Sequence, residues 1–168
     1  RDIAQRKLAE EAVAKAHERM DQLMASVPDA LWSGEVTEQG SLKPTYISPV
    51  FEKITGYPAR QFIENPRHFL DLIHPDDRPL VEREMNRLHS GQVFSVELEY
   101  RIVRSDGAVR TVRDRESVRY LPPKRLRVDA VLMDVTEQKR VEQALKKANR
   151  DLSLTVKELQ IRHREVLL

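Results

Sequence analysis

The sequence predicts an α+β fold: a five-stranded antiparallel sheet with small helices over one face, flanked at both ends by coiled-coil helices. Three observations carry this. In the second half of the chain the apolar period drops to two, and three long strands follow one another with turn residues between them. The stretch before them is cut into short pieces by Gly34, Gly40, Pro44, Pro49, Gly56, Pro58, Pro66 and Pro75. Both ends carry charged segments with apolar residues at heptad spacing.

Taken in order, residues 1–26 are helical, with Ala9, Ala16 and Leu23 at one heptad position, Val13, Met20 and Val27 four residues further on, and Pro28 as the stop. "ALWSGEV" from Ala30 and "PTYIS" from Pro44 are short strands. "PVFEKITGYP" is a helical turn ended by Gly56, followed by two more short helical pieces, "ARQFIEN" and "RHFLDLI". "HPDDRPLVEREMNRLHSG" is a longer helix, with Pro75 in its first turn, Asp76 and Asp77 at its positive end as caps, and Gly91 as its stop. In "FSVELEYRIV", Phe94, Val96, Leu98, Tyr100 and Ile102 share one face. Ser105-Asp106-Gly107 then turns the chain into "AVRTVRDRESVRYL", and Pro122 and Pro123 turn it into "RLRVDAVLMDV". That last strand is apolar on both faces, with Val128, Ala130 and Leu132 on one and Val131, Met133 and Val135 on the other. Its outer face therefore needs a cover, either the N-terminal helix or a second subunit.

Composition excludes several functions. The 168 residues carry 29 basic and 27 acidic groups, a formal net charge of +2, which leaves no general footprint for nucleic acid or membrane. Cysteine is absent, so disulfides, thiolate metal sites, cysteine nucleophiles and flavin–thiol adducts are excluded together. No apolar run reaches the ~20 residues that cross a bilayer, and the charged start is unlike a signal peptide. The segment reads as cytoplasmic, with any membrane anchor of the parent protein outside it.

Two phrases repeat. "RDIAQRKLAEEAV" at the start and "MDVTEQKRVEQAL" from Met133 pair Asp2 with Asp134, Lys7 with Lys139, Glu10 with Glu142 and Ala12 with Ala144. A spacing of this size is that of a domain rather than of a solenoid unit. The phrases "ALWSGEV", "YISPVFEKITGYP", "LIHPDDR", "ELEYRIVRSDG" and "MDVTEQKRVEQAL", in this order, resemble a PAS domain with its C-terminal PAC portion, the bacterial sensory-box module. The resemblance divides the chain into an N-terminal linker helix over 1–26, the exit of an upstream PAS domain in a tandem array, a PAS/PAC domain over 27–136 and a C-terminal signalling helix over 137–168. The family often carries an aromatic residue in the strand after the RSDG-type turn, where this chain has Thr111.

The resemblance implies a regulatory module that forms a homodimer by parallel helices and relays a signal to a downstream output domain in the same chain. "ELQIRHREVLL" from Glu158 resembles the lead-in to the dimerisation helix of sensor histidine kinases, which makes a two-component histidine kinase the expected output. The alternative is a small-molecule or cofactor sensor, whose pocket occupancy is the signal, attached to another output such as a diguanylate cyclase. By the family's DIT-type motif, Asp134 pairs with a basic group, Arg101 or Arg110, and Thr136 opens the exit helix with a hydroxyl able to cap it. Leu145, Leu152, Leu159 and Val166 recur every seven residues, with Val141, Ala148 and Thr155 at the complementary position, and form a parallel seam.

Pocket candidates are Trp32, Tyr57, Phe69, Leu98 and Tyr100, and the cofactor, if there is one, is unassigned. His68 and His89 are the histidines to weigh for haem. His89 lies at the far end of its helix and Leu80 stands where the ligand belongs, so haem is not expected. His74, Asp76 and Asp77 read as a helix start rather than a metal site. Between Arg101 and Arg127 nine basic residues face three acidic ones, in the alternation of a solvated sheet face rather than a nucleic-acid surface. There is no phosphate loop, nucleophile elbow or zinc-protease motif, so the segment is not expected to be an enzyme.

Overall fold

A computed structural model describes residues 2–38, 40–122 and 125–166, the side chains of 2, 21, 24, 25, 165 and 166 excepted. Its elements are α1 (Asp2–Ala25), β1 (Ala30–Val36), β2 (Leu42–Ile47), α2 (Val50–Thr55), α3 (Ala59–Glu64), α4 (His68–Leu72), α5 (Arg78–His89), β3 (Ser95–Val103), β4 (Val109–Leu121), β5 (Arg125–Asp134) and α6 (Thr136–Val166). The strands form one antiparallel sheet in the order β2-β1-β5-β4-β3, which puts the last strand in the middle. The chain divides into two compact units, Arg1–Asp134 and Val135–Leu168. Among the described residues no helix is long and apolar enough to cross a membrane.

Strand alternation decides which side chains face the helices. Ala30, Val36, Tyr100, Ile102, Val112, Val128 and Leu132 are buried on the inner face with Val50, Phe51, Ile54, Phe62, Leu72, Val81 and Met85 from the helices. The outer face carries cross-strand ion pairs, Arg113 with Glu99 at 2.7 Å, Arg115 with Glu97 at 2.7 Å and Arg119 with Asp129 at 2.9 Å. These take up three of the nine basic residues between Arg101 and Arg127, and exposed pairs of this kind contribute little stability each. Leu31 stands opposite Val131 on that face, next to Met133 in the same strand, and all three are half-buried.

Turn chemistry explains the joints. Gly56 ends α2 in the left-handed region at φ 78°, its N–H donating to the Glu52 carbonyl, a conformation that favours glycine. Gly107 turns the β3–β4 hairpin, with the Ala108 N–H donating to Asp106 Oδ1 at 3.0 Å. Gly34 sits at a bulge, where an added Cβ would lie 2.8 Å from the Lys43 carbonyl oxygen.

Several expectations are corrected. β2 begins two residues before Pro44, which pairs with Gly34 inside the strand because the bulge and the edge position leave its missing N–H without consequence. Pro75 is not in the first turn of α5; the helix starts three residues later, with Pro79 in that turn. Phe94 precedes β3 and is 71% exposed, so it does not continue the inner face. Val27 lies beyond the end of α1. Every described side chain of α1 from Ile3 to Leu23 is exposed, so this helix does not cover the outer sheet face. The expected turn at Pro123 and the Val166 side chain of the seam fall outside the described residues.

Candidate functional site

Between the inner sheet face and the short helices lies a cavity of about 500 Å³. Trp32 of β1, Phe51 of α2, Phe62 of α3, Phe69 of α4 and Met85 of α5 line its apolar part, with Asn65, Pro66 and Arg67 on the loop between α3 and α4. The rings pack edge-on, Phe51 to Phe62 at 4.9 Å and Phe69 to Tyr100 at 6.5 Å between centroids. Of the five residues expected to form a pocket, Trp32 and Phe69 line the cavity. Tyr57 and Leu98 pack against the core, and Tyr100 is buried with its hydroxyl donating to Asp114 Oδ2 at 2.6 Å.

The polar part of the cavity has an origin the sequence reading missed. Asp114 and Glu116 lie on β4 in step with Val112 and Val118, so both carboxyls point inward, and each is 1% exposed. Apart from the neighbouring Asp114 carboxyl, neither Glu116 oxygen has a hydrogen-bond partner among the described protein groups. His89 Nε2 lies 3.6 Å from Glu116 Oε2, beyond hydrogen-bond range. Burial pushes the Glu116 carboxyl up to about 7. Burial, and then the Glu116 charge, push Asp114 well above the usual carboxylate range. Burial lowers His89, which is therefore neutral beside them at pH 7. The parity of the acids with the valines in "VRDRESV" was the available signal; the flanking arginines drew attention to the other face.

His74, Asp76 and Asp77 stand at the start of α5, as expected, but the acids do not cap it. Asp77 occupies the N-cap position of α5 but makes no side-chain cap bond. Its carboxylate instead accepts from the Arg101 backbone N–H at 2.8 Å, from Nε at 2.9 Å and from Nη2 at 2.7 Å, tying α5 to β3. The hydrogen bond from the Arg101 side chain holds the Asp77 carboxyl below its ordinary value. A forked guanidinium plus a backbone donor outcompetes a single cap bond. Of the two partners proposed for Asp134, Arg101 is thus occupied by Asp77, and Arg110 lies 3.7 Å from Asp134 through Nη1. His68 is exposed and Leu80 is 44% exposed.

At the far end of β5, α6 opens at Thr136, whose side chain is buried. Along this 31-residue helix Val141, Leu145, Leu152 and Leu159 are each at least 60% exposed. Leu154 and Ile161 form a second exposed apolar row seven residues apart.

A family model described as PAS fold matches residues 44–131, more than half of the chain. The chain belongs to the PAS fold family. A search of curated proteins finds no match. Among solved structures, this PAS chain is similar to a sensory box histidine kinase/response regulator from Burkholderia thailandensis E264, at 26% identity and a TM-score of 0.57 over 80% of this chain and 98% of that one. The N-terminal domain of a diguanylate cyclase with PAS/PAC sensor from Marinobacter aquaeolei shares the fold at 20% identity and a TM-score of 0.55, covering 66% of this chain and 98% of that one. So does the PAS domain of a protein from Colwellia psychrerythraea, at 19% identity and a TM-score of 0.55 over 73% and 98%. The PAS strand order fixes two features of the site. The final strand is central, and the inner face of its neighbour β4 carries the buried acids.

Proposed function

We propose that this chain is a regulatory PAS module, itself non-catalytic, that pairs with a second copy through parallel helices and passes a signal to an output domain through α6. The observation that supports it best is where α6 begins. β5 is the middle strand of the sheet, and directly after it the chain enters a long helix whose apolar seam is open to solvent. A sheet whose central strand feeds a helix converts a strain in the strand into a displacement of the helix. In this reading Asp134 and Thr136 form the junction, and Leu145, Leu152 and Leu159 form the seam. The three parts 1–26, 27–136 and 137–168 act as linker, sensor and signalling helix. The similar Burkholderia protein, described as a histidine kinase, favours a kinase as the output.

Light scattering tests the pairing. At micromolar concentration the chain is expected at twice its 19.5 kDa mass, and the Leu145→Asp, Leu152→Asp double variant at the monomer mass, because two buried carboxylates in a seam outweigh its apolar gain. Both side chains are exposed within one chain, so the variant keeps its fold. A monomeric parent, or a double variant that still dimerises, refutes the pairing. A second reading, in which occupancy of the pocket is the signal, is favoured by one observation, the cavity beneath the sheet.

A further inference from the structure

We infer that the cavity under the sheet is a binding site for an organic cation, an ammonium or amidinium carried on an apolar body, with Glu116 as its counter-ion and the aromatic wall around Trp32 and Phe69 as its seat. The inference rests on the reading in which pocket occupancy is the signal, and it names the chemical class of the occupant.

Four observations converge. Glu116 borders the cavity, is 1% exposed, and apart from the neighbouring Asp114 carboxyl no described protein group hydrogen-bonds its oxygens. A buried carboxylate with a single carboxyl neighbour and no cationic partner is costly, and a ligand that brings N–H donors and a positive charge removes that cost. Trp32, in register with Glu116 across Ala130 on the sheet, and Phe51, Phe62 and Phe69 from the helices line the same cavity; aromatic faces attract cations and their bulk suits an apolar body. The volume of about 500 Å³ is that of a small-molecule site rather than of a solvent gap. Finally, no three His, Asp or Glu side chains gather as a metal site among the described residues, although His89, Asp114 and Glu116 are neighbours. The donor set therefore suits a cation that carries its own hydrogen bonds and needs one counter-charge, not a metal ion that needs several ligands.

The charge balance is specific. Burial and then the Glu116 charge raise Asp114 on the same strand, Tyr100 from β3 donates to it, and His89 from α5 is neutral at pH 7, so Glu116 is the carboxyl of the inner cluster that borders the cavity and changes state near neutrality. Glu82 of α5 also lines the cavity, as does His89, and exposed Arg67 stands at its rim, the one arginine or lysine among the described lining residues and the feature that would favour an anion instead. Bound cation holds Glu116 ionised, so affinity rises with pH through about 7, while an alkyl ammonium stays charged up to about pH 10.

Three probes sharing one bicyclic body separate charge from shape: tryptamine, its neutral alcohol analogue tryptophol, and anionic 3-indolepropionate. Titrated calorimetrically into the 168-residue chain at about pH 8.5, tryptamine is expected to bind about tenfold more tightly than tryptophol. That gap should close to under about threefold at about pH 5.5, where Glu116 is protonated. Glu116→Gln should abolish the gap at the higher pH and leave tryptophol affinity unchanged, its fold checked by circular dichroism. Should Glu116→Gln not fold, Trp32→Ala provides a second reading by weakening tryptamine binding without removing its pH dependence. No binding of tryptamine at millimolar concentration, equal or tighter binding of tryptophol or 3-indolepropionate, or an unchanged gap in Glu116→Gln overturns the inference. Tight binding of tryptophol alone would leave an occupancy sensor in place and remove only the cationic class. The proposed pairing, which light scattering tests, is untouched by either outcome.

Discussion

At the scale of single residues, the inward acids set the chemistry of this domain. Glu116 has a folded-state pKa of about 7 against an ordinary 4.5, so the folded chain binds its proton more tightly than the unfolded one. That contribution is complete below about pH 4.5 and is lost as the pH rises through about 7, a change of about 3 kcal/mol. Asp114 shifts in the same direction. Asp77, Asp106 and Asp129 are shifted down and lose their contribution only in acid, outside this window. Lowered His89 works the other way below about pH 6.5, so without ligand the melting temperature is expected to fall between about pH 6.5 and pH 8, and Glu116→Gln should flatten most of that slope and melt higher at pH 8. A melting temperature constant over the interval contradicts the burial argument. Neither acid stood out in the sequence, because alternating charges on a strand signal a solvated face unless their parity with the apolar residues is counted. Asp77 escaped differently: a helix-start signal names the position and not the competing donor, and Arg101 lies 24 residues away.

At the scale of elements, most of the order was legible, because period two, heptads and Gly/Pro punctuation are local signals. β1 was read to the residue, and the five strands and short helices follow the expected sequence. Errors fell where tertiary context overrode the local signal. Pro44 sits inside an edge strand, and Pro75 precedes α5 while Pro79 opens it. Of the aromatic candidates, Trp32 and Phe69 border the cavity and Tyr100 is buried in the core, a distinction the sequence does not carry because aromatic character is the same in both roles. For α6 the heptads imply a phase-sensitive rod. An inserted pair of residues turns everything downstream by about 200°, whereas seven restore the seam. In the full-length protein, a heptad inserted between Ala148 and Asn149 is expected to leave signal-dependent output largely intact, and two residues inserted there should lock or scramble it. Output that tolerates both insertions equally would identify a flexible tether.

At the scale of the whole molecule, apolar surface remains that one chain does not cover. Leu31, Val131 and Met133 are half-buried on the outer sheet face, the described side chains of α1 are exposed, and the α6 stripe is open. In the proposed pairing, a second copy aligned along the same helices buries the α6 seam. The native chain has no cysteine, so a single introduced thiol reports one position without background. Leu152 lies on the seam, and Lys157, five residues on, lies on the far side of a parallel two-stranded coil. Under mild oxidation Leu152→Cys is expected to convert the chain to a covalent dimer while Lys157→Cys stays monomeric on a denaturing gel, because only the seam position brings two Cα atoms within disulfide reach. Equal cross-linking at both positions, or none at residue 152, would contradict the parallel signalling helix.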